Sequence, residues 1–208
     1  MIVVGIDEAG RGSLIGPMIV AGVAIDDSKL QVLKNLGVKD SKQLTRERRE
    51  KLVNIIASYA EGFVVVKVFP EDIDRKNLNE LTYEAMIKII DALSVFRPLK
   101  ITVDKVGNAR EVEKEIIKIG SKPNIVANAD VNFVEASAAS IIAKVVRDKI
   151  IDELKSKYGD FGSGYPADPR TVNWIKKLYE SNSPPPPIIR RSWKILQDIA
   201  PNYYIRKW

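Results

Sequence analysis

At 208 residues, with 45% hydrophobic and 29% charged side chains, the chain has the size and mix of one soluble domain with a small appendage. No apolar run approaches the ~20 residues of a membrane span. The absence of cysteine and histidine excludes disulfides, thiolate nucleophiles, imidazole acid–base chemistry and His-ligated metals, leaving catalysis to carboxylates, hydroxyls, Lys, Arg or a hard cation.

The remaining totals point to a partner and a compartment. A net charge of +6, from 33 basic and 27 acidic residues, suits a polyanion. The lack of cysteine, and a first residue that leads straight into a strand without a secretory pattern, give the expectation of a cytoplasmic protein.

Ile2 to Gly12 reads as an apolar, β-branched strand that stops in two carboxylates, Asp7 and Glu8, followed by Gly10-Arg11-Gly12. Carboxylates at the end of such a strand stand where ligands bind an open α/β sheet, and the glycines let backbone N–H groups approach a partner. The plain alternative is an acidic strand end with an ordinary turn.

Pro17 to Ile25 is a second strand, antiparallel to the first because the connection is short. A short helix follows over 28–36. Thr45 is placed to cap a helix carrying Leu52, Ile55, Ile56 and Tyr59, which Gly62 ends. Phe63 to Phe69 is a third strand. Leu78 to Phe96 is a long amphipathic helix. Lys100 to Asp104 is a fourth strand, closing on an aspartate. Glu111 to Ile119 is a charged helix with Gly120 as its C′ residue. Pro123 to Ala127 is a fifth strand, followed by Asn128-Ala129-Asp130.

A helix over 133–158 carries the small-residue run Ala136 to Ser140, which suits close packing on a sheet. Gly159 to Pro169 is a loop and Arg170 to Glu180 a helix. Pro184 to Pro187 is a stiff spacer, and Ile189 to Ile199 a last helix. The order predicts an α/β fold: a mixed five-stranded sheet flanked by helices, with a C-terminal helical attachment.

Three strands thus end in acids: Asp7 with Glu8, Asp104, and Asp130. If those strands adjoin, four negative charges meet, and an all-oxygen cluster suits Mg²⁺ or Mn²⁺. Two such ions activate a water and stabilise the leaving oxygen of a phosphodiester. Otherwise Asp104 and Asp130 are separate caps or loop residues. Adjacent strand residues point to opposite faces, so for Asp7 and Glu8 to share a metal the strand is required to end or bulge between them.

The chain resembles the ribonuclease HII family in its archaeal form. The resemblance is carried by Asp7-Glu8-Ala9-Gly10-Arg11-Gly12, Asp40-Ser41-Lys42, Ser137 to Lys144, Gly162-Ser163-Gly164-Tyr165-Pro166 and Arg190-Arg191-Ser192-Trp193-Lys194, in that order. It implies a ribonuclease H-like catalytic domain over residues 1–158, with the substrate loop, C-terminal helices and tail over 159–208.

The implied activity is hydrolysis of RNA in RNA/DNA hybrids and incision 5′ of ribonucleotides embedded in duplex DNA. The products carry 3′-hydroxyl and 5′-phosphate ends, and the setting is ribonucleotide excision repair and DNA replication. Asp7, Glu8, Asp104 and Asp130 are implied as catalytic metal ligands for Mg²⁺ or Mn²⁺, with two ions when substrate is bound. Gly10, Arg11 and Gly12 are implied readers of the ribonucleotide 2′-hydroxyl, which Tyr165 also bonds while packing on the neighbouring deoxyribose. Asn132 and Phe133 depart from the family pattern, where lysine and tyrosine are frequent.

Lys42, Arg46 and Lys144 are candidate phosphate contacts, as are Lys39 and Arg147; taken singly, each reads more readily as a solvated surface charge, and Lys42 and Arg46 are favoured because they flank a family block. Trp193, within the basic cluster of Arg190, Arg191 and Lys194, reads as packing the last helix onto the body. The tail from Gln197 to Tyr203 and Tyr204 resembles a sliding-clamp docking peptide, with Ala200 small for its aliphatic slot. The enzyme is expected to act as a monomer. Two other functions compete: a non-catalytic hybrid-binding protein, and an actin-like nucleotide phosphotransferase suggested by Gly5-Ile6-Asp7. The second needs a duplicated domain that 208 residues do not provide.

Overall fold

The structure is a computed structural model that describes residues 1–39 and 43–207. The block Asp40-Ser41-Lys42, and with it the candidate phosphate contact Lys42, lies outside the described residues. In chain order the elements are β1 (Ile2–Ala9), β2 (Met18–Asp26), α1 (Leu30–Asn35), α2 (Arg46–Tyr59), β3 (Ala60–Val68), α3 (Pro70–Arg75) and α4 (Leu78–Leu93). There follow β4 (Lys100–Asp104), α5 (Arg110–Lys118), β5 (Lys122–Val126), α6 (Ala129–Asn132), α7 (Val134–Tyr158), α8 (Pro169–Glu180) and α9 (Leu196–Ile199).

Among the described residues the strands form one mixed sheet in the order β3-β2-β1-β4-β5. The short link makes β1–β2 antiparallel; β2–β3 is antiparallel too, across a longer connection that holds α1 and α2. The pairings of β1 with β4 and of β4 with β5, reached through helical crossovers, are parallel. The α/β fold with a mixed five-stranded sheet is as the sequence predicts.

Strand alternation sends successive side chains to opposite faces, and both faces are covered. Val4, Ile6, Val20 and Ala24 pack under Leu81, Met86, Ile89 and Leu93 of α4 and Val112 and Ile116 of α5. Ile19, Ala21, Val23 and Ile25 meet Ala138, Ala139 and Ile142 of α7 and Leu52 and Ile56 of α2. A third cluster joins the C-terminal segment to the loop after β1: Leu14 and Ile15 pack with Phe161, Ile175, Ile189 and Leu196.

Thr45 caps α2 as expected, accepting from the Arg48 N–H at 3.2 Å. Gly120 follows α5 with φ +82°, the left-handed residue a helix end favours. Three expectations are corrected. Gly62 does not end α2: the helix stops at Tyr59, and Gly62 pairs with Ala24 inside β3, where the larger cross-strand ladder outweighs its weak local preference. Asp130 does not end a strand, because β5 closes at Val126 and Asp130 lies in the short helix α6. Ile189 to Arg190 is not helical: Ile189 bridges Ile15, the Arg190 N–H bonds the Leu14 carbonyl, and only Leu196–Ile199 forms helix.

Candidate active site

β1 stays paired with β2 through Ala9↔Ile19, but its ladder with β4 stops at Ile6↔Val103. The sheet therefore opens a notch between the C-terminal ends of two parallel strands, the place where α/β sheets bind ligands. Asp7, Glu8, Asp104 and Asp130 all line the pocket formed there, together with Gly10, Arg11, Gly12, Lys144 and Tyr165.

The requirement that β1 end or bulge between Asp7 and Glu8 is not met. Asp7 pairs with Ala21 and Glu8 with Val20 in unbroken register. What ends is the ladder on the β4 side, and both side chains reach the notch from opposite faces of one overhanging strand.

Each acid is set by a different element. Asp7 is buried on the α7 face, where it hydrogen-bonds Ser140, and Lys144 one turn on donates to the Ser140 hydroxyl at 2.7 Å. Glu8, by alternation, turns to the α4 face. Arg11 is held on that side by bonds to Thr82, at 2.6 Å, and to Asn79. Asp104 closes β4 and accepts from the Ala129 N–H at 2.8 Å, which ties α6 to the strand and brings buried Asp130 to the pocket.

Burial raises the pKa of both Asp7 and Glu8, chiefly by removing water from the charged form. The charge of Asp104 raises Asp7 further, against the Ser140 bond and the Lys144 charge; Asp7 and Asp104 both raise Glu8, against Arg11. One carboxylate oxygen of Glu8, Oε2, is buried without a hydrogen-bond partner among the described residues. Among the described residues no three acidic side chains are grouped closely enough to hold an ion by themselves. An oxygen-only donor set, crowded negative charge and an orphaned buried carboxylate oxygen fit a hard divalent cation.

The opposite wall is basic. Arg147 of α7 is buried, donates to Ser13 Oγ at 2.8 Å, and lies 4.7 Å from the Tyr165 ring centre. The loop bearing Tyr165 is bolted to the one after β1, for the Gly164 carbonyl accepts from the Leu14 and Ile15 N–H groups at 2.8 and 3.0 Å. Arg190, wholly buried, donates to three backbone carbonyls behind this loop. Burial, and then the nearby charge of Arg147, push its guanidinium down to about 9, still above neutral, so the charge is kept.

Of the other candidates, Arg46 lies outside the pocket lining and is engaged with Glu50 and Asp152. Tyr203 is buried and packs edge-on against Tyr179, while Gln197 is exposed and Tyr204 partly so. Arg49, paired with Asp148 on the pocket wall, was not singled out from the sequence. It is one of several basic residues at the start of α2, and only its packing against α7 separates it from them.

The family model described as Ribonuclease HII matches residues 4–196. The chain is 76% identical over 208 residues to the Ribonuclease HII of Sulfurisphaera tokodaii, covering 100% of both. It superposes with TM-score 0.87 on the ribonuclease H2 of Pyrococcus horikoshii, at 40% identity over 98% of this chain and 99% of that one. The Archaeoglobus fulgidus structure, solved as a PCNA:RNase HII complex, matches with TM-score 0.83 at 39% identity, covering 95% and 96%. The chain belongs to the ribonuclease HII family and is an endoribonuclease of the ribonuclease H type.

Proposed function

We propose that the enzyme hydrolyses the RNA of RNA/DNA hybrids and incises 5′ of single ribonucleotides in duplex DNA, leaving 3′-hydroxyl and 5′-phosphate ends. The supporting observation is that four acids from three separate parts of the chain line one pocket with Gly10-Arg11-Gly12 and Tyr165. In this reading Asp7, Glu8, Asp104 and Asp130 hold Mg²⁺ or Mn²⁺, two ions when substrate is present. A cation there supplies an activated water and a counter-charge for the departing 3′-oxygen.

The protein's own groups do the rest. Lys144, through Ser140, keeps positive charge beside Asp7 and favours its ionised, metal-binding form. Arg11, tethered to α4, does the same for Glu8. The Gly10–Gly12 backbone donates to the 2′-hydroxyl, and Tyr165 adds a hydrogen bond there and a ring face for the neighbouring deoxyribose. Residues 159–208 serve as the substrate-side unit, with 1–158 as the catalytic one. In this reading the enzyme acts as a monomer in the cytoplasm, where the genomic duplexes are.

The test is a labelled DNA duplex carrying one ribonucleotide, incubated with Mg²⁺ or Mn²⁺ and with EDTA. A single metal-dependent cut 5′ of the ribonucleotide, giving a primer that a polymerase extends, is expected. Cleavage surviving EDTA ends the metal assignment, and binding without any cut favours the hybrid-binding alternative. Tyr165→Phe is expected to slow cutting at single ribonucleotides about tenfold, the worth of one hydrogen bond to the recognised 2′-hydroxyl, and long hybrids less. Equal losses on the two substrates, compared as kcat/KM, would remove its selective role.

We also propose that the tail docks on a sliding clamp; the A. fulgidus relative was solved as a complex with PCNA. Tyr203 is packed inside, so Gln197 and Tyr204 carry the contact unless the tail unseats that ring. Clamp pull-down is expected to weaken in a Gln197→Ala/Tyr204→Ala double variant whose melting temperature is unchanged. Full retention there argues against this register.

A further inference from the structure

Behind the pocket sits a buried cation that, among the described residues, hydrogen-bonds no carboxylate. Arg190 Nη2 donates to the Gly10 carbonyl at 2.6 Å, Nη1 to the Arg11 carbonyl at 2.8 Å, and Nε to the Gly16 carbonyl at 2.9 Å. The neighbouring Asp74 carboxylate instead accepts from the Arg191 and Ser192 N–H groups and the Ser192 hydroxyl. Removing an ion from water is costly, and apolar side chains of similar volume generally fill such a space at least as stably. A fork that grips three carbonyls of one loop is geometry that filler would not provide.

That grip decides which way the loop's peptides face. The described residues contain no cis peptide bond, and in a trans peptide the N–H points away from the preceding carbonyl. With the Gly10 and Arg11 carbonyls drawn back to Arg190, the N–H groups of Arg11 and Gly12 face the other way. Gly10, Arg11 and Gly12 line the pocket and Arg190 does not, so the other way is the pocket side.

The flank is fixed too. Gly10 has φ +78°, and a Cβ there would lie 2.3 Å from Arg147 Nε, whereas a Cβ on Gly12 would meet nothing within 4 Å. The loop is clamped behind and at one side, and open in front.

We propose that Arg190 is a positioning residue for substrate selection. It turns the Arg11 and Gly12 N–H groups into the pocket as donors for the hydroxyl that marks a ribonucleotide. This rests on the reading of Gly10-Arg11-Gly12 given above. It makes the C-terminal segment a determinant of specificity, acting through a loop some 180 residues earlier.

The experiment measures Kd in Ca²⁺ for two duplexes of one sequence, one with a single ribonucleotide and one all DNA. It compares the wild type, Arg190→Lys and the control Arg191→Lys. Lysine keeps the charge but not the three-pronged fork. Arg190→Lys is expected to lower the ribonucleotide preference about tenfold or more while its affinity for all-DNA duplex stays within about twofold; Arg191→Lys keeps the preference. A role in stability alone would lower the melting temperature and leave the ratio unchanged, and that result in folded Arg190→Lys overturns the proposal.

A wild type without any preference instead removes the loop's reading, and the proposal with it. Should Arg190→Lys not fold, the wild-type protein decides. The amide ¹H–¹⁵N resonances of Arg11 and Gly12 are expected to shift with the ribonucleotide duplex and not with the DNA duplex. Identical responses to the two duplexes overturn the proposal.

Discussion

Asp7→Asn is expected to reduce metal-dependent cleavage by at least about a thousandfold while leaving duplex binding within a few-fold. The loss follows from Asp7's place: it is buried on the α7 face, bonded to Ser140 and electrostatically linked to Glu8 and Asp104. On the proposed reading binding survives, because Arg49, Lys144 and Arg147, which line the pocket, are the groups left to contact phosphates. Without metal the same variant should be the more stable protein.

Asp7's folded-state pKa is raised, mainly by burial, above its value in the unfolded chain. Its protonated form therefore favours folding. That contribution is fully present below the ordinary carboxylate pKa of about 4 and is lost as pH rises through the raised folded value. Asn cannot ionise and escapes the loss. The melting temperature of Asp7→Asn in EDTA should thus exceed that of the wild type at pH 8, by an amount that shrinks toward pH 5. Mg²⁺ should reverse the order by stabilising the wild type more. Substantial cleavage by the variant, or a wild type that melts higher in EDTA at pH 8, would refute the assignment of Asp7 as a crowded metal ligand.

What the chain disclosed in advance was local. The apolar runs of β1, β2 and β4, the Thr45 cap and the stop at Gly120 each depend on a few neighbouring residues, and each is where periodicity and turn chemistry put it. Asp104 ends its strand as expected. Asp130 arrives differently: α6 is only a short turn, held by the Asp104 bond to Ala129, and no periodicity announces so brief a helix.

The way Asp7 and Glu8 share one notch is not legible in β1 alone. A strand whose ladder ends on one side and continues on the other delivers neighbouring residues to one notch without breaking. Arg190 was legible only as part of a basic cluster. Its burial depends on carbonyls 174 to 180 positions away, and no local pattern encodes such a contact. The non-helical path at Ile189 has the same origin: its bridge to Ile15 and the Arg190 fork outweigh the propensity of the segment.

The largest structural effect is expected at Gly5, far from any reactive atom. In a solvent-facing strand Gly→Ala stabilises slightly, by up to about 1 kcal/mol, because the unfolded chain loses freedom. At Gly5 the sign should invert. A Cβ there would stand 2.0 Å from the Glu135 carbonyl oxygen, 2.1 Å from its carbon and 2.5 Å from the Ala136 nitrogen. These are backbone atoms of α7, and no rotamer change moves them. Helix and sheet must part, opening the contact that Ala136, Ala139 and Ser140 make possible. Glu135 is anchored beneath by Thr102 and Lys100, each at 2.8 Å, so the helix start is not free to tilt. Gly5→Ala should therefore cost about 3 kcal/mol, read as a shift of the denaturant midpoint at constant slope. The displacement also reaches the site, since Asp7 lies two residues along the same strand face and Ser140 one turn along the helix. Cleavage per folded molecule should fall well below wild type even where the variant is fully folded. Gly120→Ala is the contrast: it strains a left-handed residue with nothing within 4 Å of the new Cβ, and should cost about 1 kcal/mol with specific activity intact. If Gly5→Ala matched Gly120→Ala in both midpoint and activity, the close seating of α7 on β1 would not be what holds Asp7 in register with Ser140.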